Sequence, residues 1–141
     1  MANTIHLDIV SAEGQLFAGD AHMIFVPASE GEIGIAPRHA PLLTTLKAGE
    51  VRVQIEGQPE QSFFVGGGAL EIQPNNVTVL ADTAARSADL DEAAAQKAKA
   101  HAEATVRERP ADDRERAEAL AELARAVAQL RMIERLRKLS R

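Results

Sequence analysis

The chain has no cysteine, tryptophan or tyrosine, and only four phenylalanines among 141 residues. Without cysteine there is no disulfide, thiolate metal ligand or thiol nucleophile, a composition that fits a reducing compartment. Without Tyr or Trp the stacking platform of a single-strand binder is missing, so nucleic acid is not an expected partner. No run approaches the roughly 18 consecutive apolar residues of a membrane span, so no direct insertion into a bilayer is expected. Met1-Ala2-Asn3-Thr4 lacks the basic start and apolar run of a secretion signal.

Charge is unevenly spread. Residues 1–89 hold four Lys/Arg against eleven Asp/Glu, a balance of −7, and residues 90–141 hold twelve against ten, a balance of +2. An acidic body thus precedes a mildly basic tail.

The two parts also differ in rhythm. Ile5, Leu7 and Ile9 alternate with His6 and Asp8, and Val51, Val53 and Ile55 alternate with Arg52, Gln54 and Glu56, the period of half-buried strands. Met23–Val26, Phe63–Val65, Leu70–Ile72 and Val77–Leu80 are further short apolar runs. Gly19-Asp20, Ala48-Gly49, Gly57-Gln58-Pro59, Gly66-Gly67-Gly68 and Pro74-Asn75-Asn76 separate them as turn chemistry. This pattern predicts a β-sandwich of roughly eight to ten strands in two packed sheets over residues 1–86. Pro27–Pro41 reads as the longest irregular segment, placing Glu30, Glu32, Arg38 and His39 on exposed loops.

Residues 87–141 read as a helical hairpin, with helices over about 90–108 and 113–139 broken at Pro110. Asp89 with Glu92, and Asp112 with Glu115, have the spacing of N-caps with a reciprocal Glu. The second helix would run roughly 40 Å at 1.5 Å per residue. It carries a stripe of Leu120, Leu123, Val127, Leu130, Ile133 and Leu136. Its end is basic: Arg125, Arg131, Arg135, Arg137, Lys138 and Arg141 are opposed there only by Glu134. The first helix has seven Ala between Ala93 and Ala104 and only Leu90 and Val106 as larger aliphatics. Each missing methylene forgoes about 0.8 kcal/mol of burial. The hairpin is therefore expected to form by propensity but to be loosely tied to the body.

No catalytic constellation emerges. His6, His22, His39 and His101 lack metal-site spacing. Ser11, Ser29, Ser62, Ser87 and Ser140 sit in no nucleophile elbow. Gly66-Gly67-Gly68 lacks the Lys-Ser/Thr of a phosphate loop and is followed by a strand, so it reads as a corner where backbone approaches backbone. Glu30 and Glu32 could pair as carboxylates, but nothing marks a cleft around them. No enzyme, cofactor or metal is expected.

Several blocks in order resemble the epsilon subunits of bacterial F-type ATP synthases. They are Val10–Glu13, Ser29–Ile35, His39–Thr44, Gly66–Glu71, Asn76–Asp82, Leu90–Ala93 and Ala121–Arg131. The resemblance spans essentially the whole chain and implies a ten-stranded sandwich followed by a two-helix hairpin. It also implies a peripheral rotor subunit at the cytoplasmic face of the bacterial inner membrane, linking the gamma subunit to the ring of c subunits. In such proteins the folded hairpin permits turnover, and the extended hairpin blocks ATP hydrolysis in the alpha–beta head.

By the same resemblance Ser29, Glu30, Gly31 and Glu32 would face the c-ring, and Arg38 and His39 would lie close to gamma or the ring. Arg131, Arg135, Arg137 and Lys138 would be drawn to an acidic segment of the beta subunits, in a salt-dependent manner. Some family members bind ATP on the hairpin through a Leu/Ile-Asp-x-x-Arg-Ala motif. Here Ala94 stands where that motif has Arg. Asp91 and Arg125 are the remaining candidates, so ATP binding should be weak or absent. The rival expectation is a free-standing ligand-binding sandwich with a helical dimerisation tail.

Overall fold

The computed structural model describes residues 3–108 and 112–140. It divides into two compact units, residues 1–88 and 89–141. The break expected at Pro110, and Arg141 at the basic end, lie outside the described residues.

The described residues of unit one form eight strands: β1 (Ile5–Ser11), β2 (Gly14–Ala21), β3 (Met23–Ala28), β4 (Gly31–Ile35), β5 (Leu42–Gln54), β6 (Gln61–Gln73), β7 (Asn76–Ala81) and β8 (Ala84–Arg86). One hydrogen-bonded path joins them in the order β2-β1-β7-β6-β5-β3-β4, with β8 also on β6. All pairs are antiparallel except β1 with β7, where Leu7 lies level with Val77. Inward residues of alternate periodicity fill the sandwich. Ile5, Leu7, Ile9, Ile24, Val51, Val53, Leu70 and Ile72 are all at most 1 % exposed.

The count is eight because β5 and β6 are each 13 residues long and run through the glycines that looked like turns. β6 pairs β8 through Phe63–Val65 and β7 through Gly68–Gln73, so one strand serves both layers. Gly66–Gly68 marks the change of partner. Gly68 has φ +136°, and a Cβ there would lie 2.0 Å from the Leu80 carbonyl oxygen. Backbone does approach backbone at this triplet, inside a strand rather than at a loop.

Ala48-Gly49 is likewise internal to β5, and a Cβ on Gly49 would lie 2.7 Å from Cβ of Pro27. The glycine makes room for a proline ring. Pro27 sits in β3 where the ladder to β5 slips between Phe25 and Ala28, a place where a missing N–H is tolerated.

The segment Pro27–Pro41 is therefore not one irregular loop. Ala28 ends β3, Ser29-Glu30 form a tight turn, and Gly31 with φ +133° starts β4. Apart from that turn, only residues 36–41 of the segment are non-strand. The physical reason is that a two-residue turn needs little chain to reverse a strand.

Unit two holds α1 (Glu92–Arg107) and α2 (Asp113–Leu139), preceded by a 3₁₀ turn at Ser87–Asp89. The α1 cap is Asp91, whose carboxylate accepts from the Ala94 N–H at 3.1 Å. Asp89 instead closes the 3₁₀ turn, which corrects the expected cap by two residues. The α2 cap is Asp112, accepting from the Glu115 N–H at 2.7 Å.

Candidate functional site

The expected contact residues fall into three places. Ser29 and Glu30 form the β3–β4 turn. The Ser29 N–H donates to the Thr45 carbonyl at 3.0 Å, and its hydroxyl hydrogen-bonds the Thr45 hydroxyl. Gly31 and Glu32 lie in β4. Glu32 is bound at 3.0 Å by Arg52, which also lies 3.7 Å from Glu60 and stacks 4.3 Å over the Phe25 ring. Glu32 is thus a strand carboxylate already paired, and Glu30 is the exposed acid of the tip, with no ion pair among the described residues.

Arg38 and His39 follow the other end of β4, about 15 Å away along a five-residue strand. The His39 N–H donates to the Ala36 carbonyl at 3.2 Å, closing a turn with Pro37 second and Arg38 third. Arg38 has φ +64°, the only positive value outside glycine among the described residues. A type II turn favours Gly there. Its N–H donates to the Pro74 carbonyl at 2.8 Å, and His39 Nδ1 donates to the Ala40 carbonyl at 2.8 Å. The sequence signalled a loop here but not the strained arginine.

The third place is the hairpin. Arg137 pairs with Glu92 across the two helices and lies 3.9 Å from Glu134, while Lys138 reaches Glu134 at 3.9 Å. His101 and Glu122 make a second cross-helix contact at 3.6 Å. Ala95 and Ala102 on α1 and Ala119 and Ala126 on α2 are all buried. Such small residues let helices approach closely but give up apolar area.

Met132 is the only larger buried side chain of the described hairpin residues, and the sequence stripe did not single it out. The stripe itself stays half-exposed, with Leu120 at 44 %. Val127 and Leu130 floor a groove of about 460 Å³ rimmed by Lys99, Arg131, Arg135, Lys138 and Glu134.

Asp91 caps α1, a local structural task, and Ala94 contributes its N–H to that cap. Arg125 makes no hydrogen bond or ion pair with the described residues. No group of three or more His, Cys, Asp or Glu side chains among the described residues could hold a metal ion. None of their helices is long and apolar enough to cross a membrane.

The described residues define a class of fold, a β-sandwich followed by an antiparallel helical pair. Comparison with known proteins specifies the family. Residues 4–87 match the family model described as ATP synthase, Delta/Epsilon chain, beta-sandwich domain, and residues 88–134 match its long alpha-helix domain. The chain is 57 % identical over 136 residues to the ATP synthase epsilon chain of Alkalilimnicola ehrlichii, covering 96 % of each. It is 56 % identical over 138 residues to ATP synthase epsilon chain 1 of Methylococcus capsulatus, covering 98 % of each. A chain in the cryo-EM structure of Euglena gracilis mitochondrial ATP synthase (OSCP/F1/c-ring) shares the fold, at TM-score 0.69 and 20 % identity over all of this chain and 84 % of that one. The chain belongs to the epsilon-chain family of F-type ATP synthases.

Proposed function

We propose that this chain is a non-catalytic rotor subunit that couples gamma to the c-ring and restrains ATP hydrolysis through a movable hairpin. Its setting would be the cytoplasmic face of the bacterial inner membrane, reached through the complex. One observation carries this reading: a chain spanning nearly the full length of its epsilon-chain relatives divides into a densely filled sandwich and an alanine-seamed hairpin. The first suits torque transmission and the second suits rearrangement.

The contact roles are those the family resemblance implies. The exposed tip Ser29–Gly31, with Glu30 as its free acid, faces the ring; Glu32 supports it through Arg52. Arg38 and His39 present a separate turn to gamma or the ring. Arg131, Arg135, Arg137 and Lys138 engage an acidic surface of beta in the extended state. Arg137 leaves Glu92 to do so, and an exposed pair of this kind holds with only about 0–1 kcal/mol. Two placements separated by a few kcal/mol are what such a switch requires.

The test is ATP hydrolysis by the alpha–beta–gamma head reconstituted with the full chain or with a truncation after Ala88. The truncated form is expected to hydrolyse faster. Equal rates would remove the inhibitory role and leave coupling untouched.

ATP is not part of this mechanism. Asp91 is occupied as a cap and Ala94 offers no cation, leaving Arg125 alone to meet a triphosphate. Calorimetry on the full chain should show no micromolar binding of Mg-free ATP, and a micromolar affinity would overturn this. The rival ligand-binding sandwich has little room, since Ile5, Leu7, Ile9 and Ile24 are at most 1 % exposed and pack in one core.

A further inference from the structure

His6 on β1 stands between two carboxylates on two strands. Its Nδ1 lies 3.1 Å from Oδ1 of Asp20 on β2, directly opposite in the register, and its Nε2 lies 3.2 Å from Oδ1 of Asp8, two residues along β1. Gln15 on β2 donates to the same Asp8 oxygen at 3.1 Å. A neutral imidazole has a single N–H, so it can satisfy only one carboxylate and must turn a lone pair toward the other. The imidazolium donates to both. The arrangement thus fits one protonation state and opposes the other.

We propose that His6, Asp8 and Asp20 form a pH-sensitive clasp that fastens the C-terminal end of edge strand β2 to β1. Strand β2 is terminal in the path, and among the described residues its backbone ladder is with β1 alone. Its middle is secured separately, by Phe17 against Phe63 with ring centres 5.5 Å apart and by Arg86 donating to the Leu16 carbonyl at 2.8 Å. Neither reaches Asp20; the Phe17 ring lies against Gly19, Ala21 is buried in the core and the His22 N–H donates to the Gln54 carbonyl at 2.9 Å, so the clasp acts on Asp20 between these anchors.

On the other side β7 places Asn76 level with His6 and Thr78 level with Asp8, both uncharged. Asp8 and Asp20 are therefore the charged groups that face the imidazole from β1 and β2, and β7 adds none. When His6 loses its proton, two carboxylates remain beside a neutral ring, and their attraction to it is replaced by mutual repulsion.

The direction of the pH effect follows. The hydrogen bond to Asp20 raises the imidazole above its ordinary 6.5; partial burial opposes this, and Asp8 adds to it. A group raised on folding stabilises the fold fully below its unfolded value, and that stabilisation is lost as pH rises through the folded value. The clasp is closed in mild acid and opens toward alkaline pH. His6 is 40 % exposed and Asp20 66 %, so the effect is confined to the strand end and does not govern global stability.

The experiment is an NMR titration of the full chain from pH 5 to 9, following the His6 imidazole, assigned with His6→Gln, together with amide protection along β2. The His6 midpoint is expected above 6.5 and should fall in Asp20→Asn. Protection at Gly19 and Ala21, whose amides face β1, corrected for intrinsic base catalysis, should drop severalfold between pH 6 and 8.5 in the natural chain and stay flat in His6→Gln. A midpoint at or below 6.5, a midpoint unmoved by Asp20→Asn, or an equal loss of protection in His6→Gln would each overturn the clasp. The side chains are exposed enough for both variants to fold, and an unchanged exchange pattern in β6 verifies that they have.

Discussion

The sandwich is built from large side chains and the hairpin from small ones, and that difference separates a rigid part from a yielding one. Phe64, seven Ile or Leu and several Val lie below 2 % exposure among the described residues of the first unit. The described hairpin residues bury four Ala and Met132. A fully buried Leu or Phe contributes about 1.5–3 kcal/mol, several times what a methyl group can. Opening a strand pair of the sandwich forfeits many such contributions together, whereas parting the helices forfeits few.

The sharpest way to break this comparison is at Gly68. Gly68→Ala would place Cβ 2.0 Å from the Leu80 carbonyl oxygen at φ +136°, in the strand that both layers share. Loss of the folded sandwich is expected, read as collapse of hydrogen-exchange protection across β5, β6 and β7. Mass spectrometry suits this because the chain has no Trp or Tyr to report by fluorescence. Gly31→Ala is the control. Its φ is +133° but nothing lies within 4 Å of the added Cβ. It should carry only backbone strain, about 1–3 kcal/mol. If Gly68→Ala were no worse than Gly31→Ala, the triplet would not be the structural knot of the sandwich.

These positions also show what could be learned from the residues alone. Alternation at Ile5-Leu7-Ile9 and Val51-Val53 located inward faces correctly, because period-two burial is local information. The cap at Asp112 was legible for the same reason. Pro27 in a strand and Gly49 beneath it were not, because each makes sense only once β3 lies on β5. Asp89 and Asp91 both have capping chemistry, and which one closes α1 depends on where the preceding 3₁₀ turn ends. Contact candidates were legible as exposed polar residues. Their grouping was not: Glu32 on β4 reaches Arg52 on β5 over the intervening β3, and Arg38 takes a left-handed turn that its side chain does not announce. The His6 cluster joins residues 14 apart that only strand pairing places side by side.

The smallest effect tests the yielding half. Glu92 and Arg137 join the two helices by a pair that is 41 % and 46 % exposed. Exposed pairs contribute about 0–1 kcal/mol and weaken with salt. Glu92→Gln should therefore leave the sandwich untouched and raise exchange only near the start of α1 and the end of α2, the increase shrinking at high ionic strength. In the assembled head the same substitution frees Arg137, so it should favour the extended hairpin and slow ATP hydrolysis modestly. Removing a carboxylate would then lower activity without touching a catalytic group. A faster rate would mean that the pair helps the inhibited state instead, and that the hairpin is restrained by something other than its own weak seam.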